Sequence, residues 1–230
     1  MILEVKNLKK VYGDKTVVNI DRIEIAPGET IGLVGNNGAG KTTFFRMILD
    51  LIRPSEGEIL SKGENVMSND KWKAYTASFL DEGFLIDYLT PEEYFTFIGS
   101  LNNLSVADVA AYISQYTDFF NGEILNSGKY IRDFSKGNQN KVGIAAALMQ
   151  QPELLILDEP FANLDPTTQI RLKKILKDYP GKMTTFISSH DLNHVTDVCN
   201  RIILVEKGRV IKDFRTDENT LKELENYFSA

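Results

Sequence analysis

Gly35-Asn36-Asn37-Gly38-Ala39-Gly40-Lys41-Thr42 fits the pattern G-x-x-x-x-G-K-[ST] at every fixed position. The run before it, Thr30-Ile31-Gly32-Leu33-Val34, has the length and composition of a buried strand. Thr43-Phe44-Phe45-Arg46-Met47-Ile48-Leu49 continues after it as a helix. A loop in that position faces the free N–H groups of the helix N-terminus, which attract anions. Gly35, Gly38 and Gly40 permit the dihedrals and the close backbone approach, Lys41 brings a positive charge to the outer phosphates, and the Thr42 hydroxyl suits Mg²⁺. The pattern implies binding of a nucleoside triphosphate by Gly35, Asn36, Asn37, Gly38, Ala39, Gly40, Lys41, Thr42 and Thr43.

Further on, Leu154-Leu155-Ile156-Leu157-Asp158-Glu159 sets four aliphatic residues before two acids. Such a run predicts a strand buried in a parallel sheet, with both carboxylates at its C-terminal edge, where ligands bind. Asp158 is placed to hold Mg²⁺ through its water shell. Glu159 is placed to polarise an attacking water, the orienting role that phosphoryl transfer requires. An acidic pair closing a strand is also ordinary solvated punctuation, and the phosphate-binding loop upstream favours chemistry over that reading.

Between the two motifs, Phe134-Ser135-Lys136-Gly137-Asn138-Gln139-Asn140-Lys141 precedes an apolar helix through Val142-Gly143-Ile144-Ala145-Ala146-Ala147-Leu148-Met149. It resembles the signature sequence L-S-G-G-Q of ATP-binding cassette (ABC) ATPases, and it stands where that family places it. Ser135 and Gly137 agree, Lys136 replaces the first Gly, and Asn138 stands where Gln is usual, with Gln139 next. The resemblance implies that Ser135, Lys136, Gly137, Asn138 and Gln139 act on ATP held by a second subunit, through a hydroxyl, amide donors and a helix dipole. Ser135 also reads as a simple helix cap, and both readings are compatible.

Other segments follow the family's order. Tyr12 matches the aromatic residue that stacks on adenine, a core-packing tyrosine being the alternative. In Ser78-Phe79-Leu80-Asp81-Glu82-Gly83, Glu82 aligns with the Gln of the coupling loop; it would reach Mg²⁺ or the attacking water while adding negative charge near the phosphates. Asn163-Leu164-Asp165-Pro166 matches the loop that crosses between two ATPase subunits, with Asp165 also able to cap the helix that Pro166 starts. Ile187-Ser188-Ser189-His190-Asp191 matches the switch segment, whose histidine, His190, would contact the γ-phosphate; a surface histidine at a strand end is the alternative. His194 matches no motif. Glu at 82 together with an S-K-G signature resembles the ATPases of some export systems. Lys41, Glu159 and His190 are thus the catalytic candidates, and Thr42, Asp158 and Glu82 the metal-binding ones.

The resemblance implies an α/β fold, a P-loop NTPase of the ABC ATPase type. A parallel-sheet core at 1–81 and 145–214 would carry an N-terminal antiparallel β subdomain, with a helical, signature-bearing lobe inserted at 82–144 and a short C-terminal helix at 215–230. It implies ATP and Mg²⁺ as cofactors, and a head-to-tail dimer around two Mg-ATP with a second copy or a homologous ATPase. The partner would be a separate integral membrane permease, of the export kind, holding the protein on the inner, cytoplasmic face of the membrane. The alternative is a soluble ABC ATPase acting on a ribosome, nucleic acid or a protein complex. Such proteins usually carry two cassettes or long insertions, which these residues do not contain.

Composition is consistent with this. At 230 residues and 43% hydrophobic the chain can bury a substantial core, and its apolar runs are strand-length, short of the ~20 residues of a membrane helix. A net charge of −6 gives no support to nucleic-acid binding, which needs clustered Lys and Arg. Arg171, Lys173, Lys174 and Lys177 read as a solvated helix face. The single Cys199 argues against a disulfide framework and reads as inert. Turn signals at Ala26-Pro27-Gly28-Glu29 and Ser55-Glu56-Gly57-Glu58 suggest short antiparallel strands. Thr90-Pro91-Glu92-Glu93 and Ser105-Val106-Ala107-Asp108 open helices, the first presenting Tyr94, Phe95, Phe97 and Ile98 as a core face. Lys207-Gly208 reads as a hairpin turn, and Thr220 to Phe228 as an amphipathic helix.

Overall fold

Alternating apolar and polar side chains make β1 (Leu3–Tyr12) and β2 (Lys15–Ile25) a hairpin with one dry face, on which Leu3, Val5, Leu8, Val18, Ile20, Ile23 and Ile25 are buried. The computed structural model describes residues 1–178 and 183–229. Residues 179–182 and 230, which fall in the expected core and C-terminal helix, lie outside the described residues. After β3 (Thr30–Val34) and α1 (Lys41–Ile48), β4 (Glu56–Ser61) and β5 (Glu64–Asn65) join the hairpin in an antiparallel sheet ordered β2-β1-β4-β5. Two corrections arise here. The hairpin strands are 10 and 11 residues long rather than short. Ser55-Glu56-Gly57-Glu58 is not a turn but the entry to β4: β1 bulges at Asn7 and Leu8 opposite Gly57 (φ 82°), whose position is pressed against the Asn7 backbone.

The second sheet is built from β6 (Thr76–Phe79), β7 (Leu154–Leu157), β8 (Thr184–Ser189), β9 (Arg201–Glu206) and β10 (Arg209–Arg215) together with β3. Its order is β10-β9-β3-β8-β7-β6, parallel except for the β9–β10 hairpin, which turns at Lys207-Gly208. Every residue of β7 and β8 is buried, as strands covered on both faces must be. One face packs α1 between the two sheets, where Phe186 meets Phe44 and Phe45 edge-on at 5.9 and 5.2 Å.

Between β6 and β7 the chain leaves the sheet for α2 (Pro91–Leu101), α3 (Val106–Ser114), α4 (Thr117–Phe120) and α5 (Lys136–Met149). Thr90 and Ser105 cap α2 and α3 in reciprocal capping boxes with Glu93 and Asp108, and Pro91 takes the first helical position. Tyr94 and Phe95 are buried, but Phe97 turns away from their face and is 41% exposed, against expectation. Three helices follow β7 and β8 or close the chain: α6 (Pro166–Asp178), α7 (Leu192–Val198) and α8 (Thr220–Ser229). The basic residues of α6 are not uniformly solvated. Lys173 pairs with Asp197 on α7 at 2.6 Å, and Arg171 reaches the Asp118 carbonyl and Asn121 beside α4. Burial drives the Cys199 thiol pKa far up, in keeping with an inert group.

α5 crosses β6 at Gly143, whose position lies directly on the Phe79 ring. A side chain there must displace a buried aromatic at the seam where the helices leave the sheet. Gly143→Val is expected to lower unfolding stability by about 2 kcal/mol through overpacking, read as a lower urea midpoint. An unchanged midpoint would show that this crossing has slack.

Candidate active site

Parallel register decides which loops meet. In the order β3, β8, β7, β6, Val34 stands opposite Ser189, Leu157 opposite Ile187, and Phe79 opposite Leu157. Immediately beyond these strand ends come the Gly35–Thr42 loop, His190, Asp158 with Glu159, and Asp81 with Glu82. All four segments therefore gather on the C-terminal edge of one sheet.

The phosphate-binding loop is shaped by backbone constraints. Gly40 is left-handed (φ 103°) at the head of α1, and a Cβ there would lie 2.7 Å from the Val17 carbonyl. No side chain caps α1, so its first N–H groups face the loop. Lys41 is 7% exposed; its Nζ donates to the Gly35 carbonyl at 2.6 Å and stands 3.5 Å from Glu159 Oε1. Val17, residues 37–43 and Glu159 line a cleft of about 210 Å³. That is below the ~300–1,000 Å³ typical of pockets enclosing a whole ligand, and it suits a polyphosphate tail with the rest of the nucleotide outside.

The β1–β2 hairpin lies over this loop, tied to it through the β9–β10 turn: Asn19 N donates to Gly208 O at 2.7 Å and Gly208 N to Ala39 O at 2.9 Å. Tyr12 ends β1 on that hairpin. It is 51% exposed, with Lys10 Nζ 4.9 Å from the ring centroid, so the core-packing alternative does not hold.

At the acidic end, Thr42 Oγ1 donates to Asp158 Oδ2 at 2.5 Å, and Ser188 Oγ donates to Asp158 Oδ1. Burial pushes the Asp158 carboxyl above its ordinary pKa, while the hydrogen bonds from Ser188 and Thr42 oppose the shift. Ser188 Oγ also accepts the Glu159 N–H at 2.9 Å. The Glu159 carboxylate is shared, Oε1 toward Lys41 and Oε2 at 2.8 Å from His190 Nδ1 and 3.3 Å from its backbone N. Ser188 has no sequence signal of its own; the register that sets Leu157 opposite Ile187 sets Asp158 beside it. Thr42 and Asp158 are a pair of hard oxygen donors in contact, which fits Mg²⁺ completed by waters and phosphate oxygens. Among the described residues no group of three or more His, Cys, Asp or Glu forms a protein cage for a metal.

The remaining sequence candidates lie elsewhere. Ser135 caps α5, accepting from Asn138 N at 3.3 Å, and both Ser135 and Lys136 are exposed. Gly137 is buried under the Asn163 carbonyl, and Gln139 bonds the Ile131 and Phe134 carbonyls at 3.0 and 3.2 Å. Neither Ser135 nor Gly137 lines the Lys41 cleft. Asp165 caps α6, accepting from Thr168 N at 3.0 Å and from its hydroxyl, which holds the Asp165 carboxyl below the usual carboxylate range. Glu82 is ion-paired with Lys136 rather than joined to the Thr42–Asp158 pair. His194 stacks on Phe161 at 4.5 Å, and burial lowers its pKa.

The ABC transporter family profile matches residues 18–162. This chain belongs to the ABC transporter family and is an ATPase. It is 32% identical over 225 residues to the Nod factor export ATP-binding protein I of Cupriavidus metallidurans, covering 94% of this chain and 72% of that protein. Likewise it is 31% identical over 228 residues to the lantibiotic transport ATP-binding protein SrtF of Streptococcus pyogenes, covering 98% and 96%. A solved ATP-binding subunit of an ABC transporter superposes on it with a TM-score of 0.86 at 27% identity over the full length of both chains. The α/β fold with its P-loop core is thus the ABC ATPase fold.

Asp158 gives this ABC ATPase a pH signature. Because the folded carboxyl holds its proton more tightly than the unfolded one, ionising it costs stability as pH rises through the raised pKa. Asp158→Asn removes that cost. The variant, in EDTA without nucleotide, is expected to melt above the wild type at pH 7, and the advantage should vanish as pH falls toward the ordinary 3.8. A lower melting temperature at pH 7 would mean that the bonds from Thr42 and Ser188 outweigh burial.

Proposed function

We propose that this ATPase is the energy-converting subunit of an exporter and works as a head-to-tail dimer, each site pairing the Lys41 cleft of one chain with the signature of the other. The observation that carries the reading is the division of the machinery. Lys41, Thr42, Asp158, Glu159 and His190 meet at one sheet edge, while Ser135 heads α5 on an exposed surface outside that cleft. A second copy would be needed to bring a signature to the γ-phosphate.

Within a site, the α1 N-terminus and Lys41 bind the phosphates, which take Lys41 over from the Gly35 carbonyl and Glu159. Thr42 and Asp158 would hold Mg²⁺, which would supply charge neutralisation to the phosphate oxygens. Glu159 orients and deprotonates the attacking water, and His190 fixes that carboxylate while facing the γ-phosphate. Tyr12 offers its exposed ring to adenine. Asp165 sits on the loop that would cross to the partner.

The permease is the proposed partner, and an apolar surface supports it. Phe84, Tyr88 and Tyr130 are 50%, 64% and 44% exposed around the segment that follows Glu82. The strand-like contacts Ile131 N to Leu89 O at 2.8 Å and Arg132 N to Asp87 O at 2.9 Å hold this segment together. Among the described residues no helix is long and apolar enough to cross a membrane, so the proposed seat is peripheral, on the inner face. The names of the Nod factor and lantibiotic relatives favour export.

Glu159→Gln should keep ATP binding and lower turnover by ~10²-fold or more, as loss of a catalytic base does; calorimetry with ATP and a phosphate-release assay measure the two. Normal turnover would move the base elsewhere. The composite site has its own test in two variants, Lys41→Ala and Ser135→Arg, each expected to be inactive. When mixed with ATP and Mg²⁺, they should regain hydrolysis, because a mixed dimer has one intact site. If differentially tagged mixed dimers form and neither turnover nor ATP trapping returns, the head-to-tail arrangement is wrong.

A further inference from the structure

The loop after β6 carries two adjacent carboxylates at the edge where a triphosphate binds, and each is held by a cation from a different part of the fold. Asp81 Oδ2 lies 3.8 Å from the Arg46 guanidinium on α1, the helix that follows the phosphate-binding loop. Glu82 is ion-paired with Lys136, the first residue of α5 and the one that replaces the first Gly of the signature. The loop is otherwise locked locally: the Asp81 carboxylate accepts the Gly83 N–H at 2.8 Å, opening a turn of 3₁₀ helix over Glu82–Phe84. The edge thus holds Asp158, Glu159, Asp81 and Glu82 against Lys41, Arg46 and Lys136. Glu159 is already engaged with Lys41 and His190, and Asp158 with two hydroxyls. Lys136 is the cation that balances Glu82.

We propose that Lys136 is a positioning residue acting within its own chain: its pairing with Glu82 offsets the carboxylate's charge at the nucleotide edge and ties the entry of the helical segment to its exit at the signature. Lys136 thereby supports ATP binding in the same subunit that contains it, through Glu82. This rests on the nucleotide site described under the proposed function. Both residues are partly exposed, 61% for the Lys136 side chain and 28% for that of Glu82. The effect is therefore of surface-pair size, about two- to five-fold in an equilibrium constant, and it weakens with salt.

The test is a double-variant cycle on the full chain: wild type, Lys136→Gln, Glu82→Gln and the double variant. Affinity for a fluorescent ATP analogue with Mg²⁺ is titrated at low salt, at protein concentrations where sedimentation shows a monomer. Lys136→Gln alone should weaken binding about two- to five-fold, and the loss should shrink in high salt. In the Glu82→Gln background the same substitution should change nothing, and Lys136→Arg should bind like the wild type. Equal losses with and without Glu82→Gln, no loss in the monomer, or a loss that appears only in dimers would overturn the proposal. The last would place Lys136 on the partner's nucleotide instead. Thermal melting of each variant separates a local charge effect from unfolding. Lys41→Ala is the control for the underlying site: unchanged affinity there would refute the phosphate-binding loop itself, independently of Lys136.

Discussion

The hydrogen bond from Thr42 to Asp158 joins residues 116 positions apart, and the chemistry of the site depends on it. Thr42 belongs to the first turn of α1, whose place is set by the glycine-bearing loop after β3. Asp158 follows β7, two strands away across β8. Both can meet only if β3, β8 and β7 are parallel and in the register observed, because a shift of one residue would turn each alternate side chain to the other face. The complete burial of β7 and β8 secures that register. Strands buried on both sides lose contacts on either face when they slide, whereas a half-exposed strand loses only one set.

Local strain accompanies this arrangement. Glu159 sits at φ 48°, in the left-handed region that a non-glycine residue occupies at a cost of roughly 1–2 kcal/mol. Glycine would relieve the strain but remove the carboxylate. The conformation is held from both sides: Ser188 Oγ accepts the Glu159 N–H, and the carboxylate spans Lys41 and His190. Strain of this kind is retained where surrounding contacts over-determine it. Here it lets the chain turn sharply after the buried Asp158, so that two consecutive acids serve different purposes, one dehydrated beside hydroxyls and one reaching the cleft.

Much of this was legible in the sequence, for identifiable reasons. Gly35 to Thr42 and Leu154 to Glu159 are contiguous segments, and contiguous segments carry their local geometry with them. The capping boxes at Thr90 and Ser105 are legible for the same reason, as is the Lys207-Gly208 hairpin. Ser188 was not, since its role comes from a neighbouring strand. Nor was the β1 bulge opposite Gly57, because a glycine in a polar stretch looks the same whether the chain turns or runs on as a strand against Asn7. The exposure of Phe97 shows a similar limit: Phe95 and Phe97 stand about 160° apart around a helix, so the turn that buries Phe95 fully leaves Phe97 at the rim. Arg171 and Lys173, read as solvated, find partners only because α4 and α7 pack beside α6.

The signature departs from the family pattern by a lysine in place of a glycine and the coupling loop by a glutamate in place of a glutamine; the sequence reads both as pointing to export but gives no contact between them. In the fold they touch, and that changes what each means. A carboxylate added near a triphosphate repels it. A lysine added at a helix N-terminus is likewise unfavourable, because it opposes the positive end of the dipole. Taken alone, each substitution is a fault. Placed in contact, the lysine finds an acid that offsets its unfavourable end of the helix, and the acid finds a cation that screens it from the phosphates. The two faults compensate, and the compensation runs between the loop that enters the helical segment and the helix that leaves it, so electrostatic balance at the nucleotide edge is coupled to how that segment sits on the sheet.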